Sequence, residues 1–466
     1  MSKHPQNFIA RLGELVGSDN VLTDASDRWT YGYDNSRRHN SPDVAVFAKE
    51  HDQIVKIVLL CNAHKIPVVP RGRGTGTCGG AVPILGGLVL SLERMDQILH
   101  LDSANRYMVV EPGVTNRAVQ DHAATKNFFW PPDPTSGDYC TVGGNLAFNA
   151  AGPRAVKYGT CRENILALRA VTGSGEEIRT GVYTTKGVVG YDLTRLIVGS
   201  EGTLAIITEA TLKLTPQPEC LRTLRAIYKD IGHATAAVVR IMSQAATPAA
   251  LEFIDGKAID MVRDYAQVDF PQDAGAMLII EVDGFTASID GATQAVTAAA
   301  GGDGLIDLAV ADTKAEASAL WAARKALSPA LRKMAPNKLN EDVVVPISRI
   351  PELIDGLDAI SQQYDIPIIN FGHAGNGNIH VNLLYDTQNP DQNRSARPCL
   401  EAVFNLVLTL DGTLSGEHGV GTEKQDYIDM EIDPVTLDLM RRIKQQFDPK
   451  GILNPGKMFP PDNTTC

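Results

Sequence analysis

At 466 residues the chain exceeds what one hydrophobic core supports, and two or three domains are the prior. Hydrophobic residues at 44% and charged residues at 21% suit a soluble globular protein. A net charge of −12 argues against a general nucleic-acid footprint, so an anionic ligand has to be held by local Arg or Lys. No run of roughly 18 apolar residues predicts a membrane-spanning helix, and the N-terminus has no apolar core of signal-peptide length. Seven scattered cysteines include no C-x-x-C pair, which excludes the usual cluster and zinc-ribbon spacings. Free thiols in a reducing cytoplasm are expected.

The pattern opens on a helix from Phe8 to Val16. A strand at Asp43–Phe47, an amphipathic helix over Asp52–Lys65 and short strands at Pro67–Pro70, Leu88–Leu92 and Tyr107–Glu111 follow. This alternation predicts an α+β or α/β domain reaching Pro216. Thr215-Pro216-Gln217-Pro218 marks a boundary. Beyond it, strands are predicted at Leu221–Tyr228, Ala249–Phe253, Met277–Val282 and Leu305–Val310. Helices are predicted at Ala234–Ala245, Ala258–Tyr265, Ile289–Ala300 and Lys314–Leu327. Four strands with intervening helices suggest a four-stranded sheet covered on one face. A helix opening near Arg441 and a Pro/Gly-punctuated turn to Phe459 end the chain.

Three glycine-rich segments precede the boundary. In Pro70–Ala81, glycines at 72, 74, 76, 79 and 80 let successive backbone N–H groups turn toward an anion. The spacing is not a P-loop, and the formal G-x-G-x-x-G match at Gly74–Gly79 is a poor dinucleotide fingerprint because it opens no clear helix. Pro131–Ser136 and Thr141–Gly152 alternate small residues with amides and hydroxyls, a texture that can wrap a flat, polar-edged cofactor or serve as a packing loop. Gly199-Ser200-Glu201-Gly202 turns into an apolar strand. Near the C-terminus, Gly372-His373-Ala374-Gly375-Asn376-Gly377-Asn378-Ile379-His380-Val381-Asn382 and Gly416-Glu417-His418-Gly419 carry three histidines and an acid. His373, His380 and Glu417 form a donor set for a divalent metal with an open position, suited to zinc and also to manganese or iron, and His418 is left beside it.

Together the three segments resemble the flavin-binding domain of the vanillyl-alcohol oxidase/PCMH superfamily. The match continues into Phe447-Asp448-Pro449-Lys450-Gly451-Ile452-Leu453-Asn454-Pro455-Gly456-Lys457 and spans about residues 20–460. The branch it resembles is the FAD-linked D-2-hydroxyacid dehydrogenases. The resemblance implies an α+β fold. A PCMH-type FAD-binding domain occupies 1–216, an α/β cap with the metal site 217–420, and a C-terminal segment returning to the flavin 421–466. It places the FAD pyrophosphate at Arg71, Gly72, Gly74, Thr75, Gly76, Thr77, Gly79 and Gly80. Flavin and adenosine contacts fall to Pro132, Thr135, Ser136, Gly143, Gly144, Asn145 and Asn149, with Gly202, Ile207 and Asn454 also lining the cofactor. No histidine lies in the pyrophosphate loop, so the FAD is expected to be noncovalent. Ala205 stands where relatives usually carry glycine.

Oxidising a 2-hydroxy acid requires loss of the hydroxyl proton, transfer of the α-hydrogen to flavin, and a hold on the carboxylate. A metal lowers the hydroxyl pKa, and a neutral imidazole takes the proton. His380 and Asn382, two apart in a strand, share a face. In the resembling enzymes the matching residues place His373, His380 and Glu417 on the metal, Asn382 at the substrate and His418 as the base. Arg324 is the natural carboxylate anchor and matches the family's substrate arginine. Ser328 lies one turn on, and Lys338 is a further cation.

The expected activity is metal-assisted, FAD-dependent oxidation of a D-2-hydroxy acid of the D-lactate or D-2-hydroxyglutarate type. Electrons are expected to leave to an electron-transfer flavoprotein, a cytochrome or a quinone-linked partner, and a homodimer is the prior. The rival readings are the flavin subunit of a glycolate oxidase-like complex, a sugar or aldonolactone oxidase or an alkyl-glycerone-phosphate synthase of the same superfamily, and a metal-dependent hydrolase.

Overall fold

The computed structural model describes residues 7–263, 271–311 and 313–460, with the side chains of 262, 328, 329, 332 and 333 outside the description. The chain folds as two units. The first comprises residues 1–151, 159–217 and 417–466; the second comprises 152–158 and 218–416. Among the described residues, no helix is long and apolar enough to cross a membrane.

The first unit holds two main sheets. β1 (Val21–Leu22), β2 (Val44–Phe47), β3 (Val68–Arg71) and β4 (Leu88–Ser91) run in the order β1-β2-β4-β3, with β2, β3 and β4 parallel. Helix His51–His64 joins β2 to β3 and buries Ile54, Ile57, Val58 and Cys61, a spacing that keeps one stripe on the sheet. β5 (Ile98–Asp102), β6 (Tyr107–Val110), β8 (Ile165–Thr172), β9 (Glu177–Gly181) and β10 (Ala205–Lys213) form an antiparallel sheet ordered β5-β6-β10-β8-β9. Two short strands, β7 (Phe128–Phe129) and β11 (Thr215–Pro216), pair separately. The C-terminal segment extends the first sheet. Val68 N–H donates to Ile452 O at 2.7 Å, and Asn454 N–H donates to Val68 O at 2.8 Å.

The second unit is built on seven antiparallel strands. They are β12 (Cys220–Tyr228), β13 (Ala250–Asp255), β14 (Ala276–Gly284), β15 (Leu305–Val310), β16 (Asn337–Val344), β17 (Ile368–His373) and β18 (Asn378–Tyr385), ordered β15-β12-β14-β13-β17-β18-β16. The expected four strands are present, but β13 pairs onward with β17, so the sheet is larger than the sequence suggested. It is also covered on both faces. Ile227, Ile254, Ile279 and Phe371 pack with Leu320, Leu327 and Leu331 of helix Lys314–Met334. On the opposite face the Tyr228 hydroxyl donates to Ala300 O, at the end of helix Ile289–Ala300.

Three further expectations change. Residues 142–148, read as a wrapping or packing loop, form a short helix, because Thr141 Oγ1 caps it by accepting the Gly144 N–H. The last helix begins at Pro434, capped by Asp433, well before Arg441. The helix entered at Lys314 runs on to Met334.

Asp255 caps the helix Gly256–Val262, accepting the Ala258 N–H at 2.7 Å and the Asn370 N–H at 2.6 Å. Burial nevertheless raises its pKa from 3.8 to about 6. The folded state therefore binds this proton before the unfolded state does, and Asp255 adds stability as pH falls from about 6 toward 3.8. Asp255→Asn lacks this component. Its deficit against the parent protein should grow by on the order of 3 kcal/mol between pH 7 and pH 4, read by urea unfolding. A pH-independent deficit would contradict it.

Candidate functional site

One face of the seven-stranded sheet, the same one that carries Ile254 and Phe371, assembles the site. Antiparallel register places Phe371 opposite His380, Ile369 opposite Asn382 and Asp342 opposite His380. Directly opposed residues share a face, so His373, His380, Asn382, Asp342, Asn340 and Lys338 project to one side of the sheet. The β17–β18 turn closes through Gly377 at φ 75°, where an added Cβ would lie 1.9 Å from Val345 O. This turn brings the two imidazoles together, with centroids 5.1 Å apart and planes at 83°. Both are buried.

Glu417 is where the chain leaves this unit, one peptide bond beyond Gly416. Asp342 holds that exit: its carboxylate accepts from Ser415 Oγ at 3.2 Å and from Gly416 N–H at 3.0 Å. Gly416 admits no side chain, since a Cβ would meet Asn378 Nδ2 at 2.6 Å. His373, His380 and Glu417 offer ligand atoms all within 4.8 Å of one another, and no other such group of three or more His, Cys, Asp or Glu occurs among the described residues. Two imidazoles and a carboxylate suit a divalent cation with a position left open. His418 follows Glu417 directly and is half-buried.

Glu252, which sequence reasoning missed, stands behind this set. It is fully buried on β13. Its Oε1 lies 2.5 Å from His373 Nδ1 and its Oε2 accepts from Arg324 Nε at 2.8 Å. Burial pushes its pKa up, but His373 and Arg324 outweigh that and the net shift is downward. Arg324 comes from helix Lys314–Met334, is itself buried, and stacks over Phe371 at 4.7 Å. The anchor expected for a carboxylate thus reaches the His373 side of the site through one shared acid. Breaking such a buried pair typically costs about 3–5 kcal/mol. Lys338 is half-buried on β16, opposite Leu384. The side chain of Ser328 lies outside the described residues. Asn382 donates to Ile369 O and His380 O, while its Oδ1 is buried without a hydrogen-bond partner.

The first unit carries the glycine loops. Between β3 and β4, Gly74 and Gly79 adopt φ 65° and 77°, and a Cβ on Gly76 would meet nothing within 4 Å. Such a loop leaves backbone N–H groups open to a phosphate, which fits a flavin pyrophosphate. Gly72 and Gly80 are closed in by Thr141 and Phe148, and Thr75 and Thr77 lie half-buried between them. Arg71 is buried and donates to Tyr33 O at 2.6 Å, so its guanidinium braces the loop. Pro132 O accepts from Asn116 Nδ2, and Ser136 O accepts the Tyr139 and Cys140 N–H groups, with Thr135 exposed in the same turn. In helix Val142–Phe148, Gly143 packs on Pro112 and Gly144 meets the capping Thr141. The buried Asn145 amide nitrogen finds no hydrogen-bond partner in the protein, although the Cys140 thiol stands beside it. That orphan donor also fits a polar cofactor. Asn149 Oδ1 accepts from Thr160 Oγ1 and Arg162 N–H, holding a turn. Gly202 sits against Pro70, and Ile207 is buried on β10.

Asn454 ties these parts together. Its Nδ2 donates to Gly80 O at 3.0 Å and Glu201 O at 2.7 Å. Buried Glu201, in turn, accepts the Val420 and Gly421 N–H groups at 2.6 and 2.8 Å. Nearby Lys457 donates to Val82 O at 2.6 Å, and burial pushes its pKa down to about 8. Asn454→Ala leaves two buried carbonyls unpaired and should destabilise the protein by about 2–4 kcal/mol, with loss of bound flavin on dilution. Thermal unfolding and flavin absorbance check it; unchanged stability would contradict the bracing role.

Comparison with known proteins identifies the family. Residues 42–181 match the FAD binding domain family, and residues 217–458 match the family of FAD linked oxidases, C-terminal domain. The chain is 39% identical over 453 residues to the glycolate oxidase subunit GlcD of Bacillus subtilis, covering 97% of this chain and 96% of that protein. It is 36% identical to a D-lactate dehydrogenase of Anaerostipes hadrus, covering 90% and 89%. A p-cresol methylhydroxylase structure superposes with a TM-score of 0.80 at 20% identity, over 99% of this chain and 98% of that one, which shows a shared PCMH-type fold. With an FAD binding domain, the matching C-terminal domain and full-length relatives, the chain belongs to the FAD-linked oxidases and is an FAD-dependent oxidoreductase.

Proposed function

We propose that the protein oxidises a D-2-hydroxy acid, of the D-lactate or D-2-hydroxyglutarate type, to the 2-oxo acid. The grouping of His373, His380 and Glu417, with His418 next in the chain, carries this reading. A noncovalent FAD, when bound, supplies the hydride acceptor, and a divalent cation (zinc, manganese or iron) supplies Lewis acidity to the substrate hydroxyl. The cation would be held by His373, His380 and Glu417. Arg324 holds the substrate carboxylate, and Asn382 Oδ1, with Lys338, completes the polar lining. His418 takes the hydroxyl proton. The electrons then pass to an external acceptor of flavoprotein, cytochrome or quinone-linked type.

Identity to a glycolate oxidase subunit favours a second reading, in which the chain is the flavin-carrying subunit of a larger assembly. An anaerobic screen of D- and L-2-hydroxy acids against the purified chain separates the two. Bleaching of the flavin near 450 nm by a D-acid alone supports the first reading; no bleaching by any D-acid contradicts it. A metal-dependent hydrolase would need no flavin, and a sugar oxidase would bleach with sugars instead.

A further inference from the structure

Glu252 is one carboxylate between two groups of different purpose. Oε1 meets Nδ1 of the strand-borne His373 at 2.5 Å, and Oε2 meets Nε of the helix-borne Arg324 at 2.8 Å. Its side chain is 1% exposed, so solvent does not compete for either oxygen. β13 places it there by register, since Phe253 opposes Gly372 in an antiparallel pair, so one residue back on β13 is Glu252 and one residue forward on β17 is His373.

We propose that Glu252 is a positioning residue that sets the metal ligand and the substrate anchor together. A carboxylate at Nδ1 keeps the proton on that nitrogen and leaves the Nε2 lone pair as the donor to the cation. The same carboxylate occupies Nε of Arg324, so a substrate carboxylate is taken by the Nη1–Nη2 edge of the fork. Cation and substrate sites are therefore oriented by a single buried acid. This inference rests on the proposed metal site and goes beyond it by assigning the atoms and the residue that selects them.

The test compares the holoenzyme with Glu252→Gln and Glu252→Asp. Zn(II) affinity is measured by chelator competition, and steady-state kinetics are run at saturating Zn(II). Outer-shell partners of this kind typically contribute about 10–100-fold to metal affinity. Glu252→Gln is expected to weaken Zn(II) by that factor and to raise KM for the hydroxy acid more than it lowers kcat. Glu252→Asp should recover part of both effects. Zn(II) affinity and KM within twofold of the parent would overturn the proposal. Nitrogen-15 histidine spectra of the Cd(II)-loaded parent protein give a readout that does not depend on a folded variant. Coupling of one ring to cadmium through Nε2, with Nδ1 protonated, is expected for His373; coupling through Nδ1 would overturn it. Absence of any bound cation in the parent protein would instead overturn the metal site itself, and this proposal with it.

Discussion

His418→Ala is expected to lower kcat by about 10²–10⁴-fold, the usual contribution of a positioned general base, with flavin content unchanged. His418 is half-buried and lies between Glu417 and Gly419, outside the cores of both units, so its removal opens no core cavity. The hydroxyl proton must leave as the α-hydrogen departs. Without an imidazole it goes to solvent, where no partner is held in place. The effect should sit in kcat, with KM little changed, because His418 does not hold the carboxylate on this account. Stopped-flow flavin reduction isolates the step. A variant that reduces its flavin at the parent rate would remove His418 from the chemistry.

His380→Ala should abolish tight cation binding, exceeding the roughly 10–100-fold effect typical of outer-shell changes. Two donors would remain of three, and His373 cannot compensate because its Nδ1 is engaged by Glu252. Turnover should fall with the metal content, and added zinc or manganese should not restore it at ordinary concentrations. Metal analysis beside circular dichroism separates ligand loss from unfolding, since His380 is buried on β18. Full activity in a metal-free His380→Ala protein would contradict the account.

Much of the fold is legible because local signals agree. The helix Ile289–Ala300 and the strand Leu305–Val310 have the bounds that periodicity and the intervening glycines predict. The glycine-flanked histidines are conspicuous for the same reason, since small residues beside imidazoles are uncommon in a packed strand. Glu252 is not legible. Within the expected strand Ala249–Phe253 a single acid reads as an outward-facing position, and only pairing of β13 with β17 brings it to a histidine 121 residues away. Residues 152–158 are equally silent: they sit between first-unit segments in sequence, yet Lys157 and Tyr158 bind Asp283 in the second unit. Asn454 is placed at the cofactor only by the resemblance, and its bracing role is not legible, because its two buried backbone partners come from distant loops. The missing information in each case is long-range register, which one sequence does not carry.

The measurement closest to the central claim is anaerobic flavin reduction by a D-2-hydroxy acid before and after the cation is stripped from the folded, FAD-loaded protein. Stripped protein is predicted to keep its oxidised flavin spectrum on adding substrate, and to bleach when one equivalent of zinc or manganese is returned. Equal bleaching with and without the cation would contradict the proposal that His373, His380 and Glu417 hold it for alcohol oxidation.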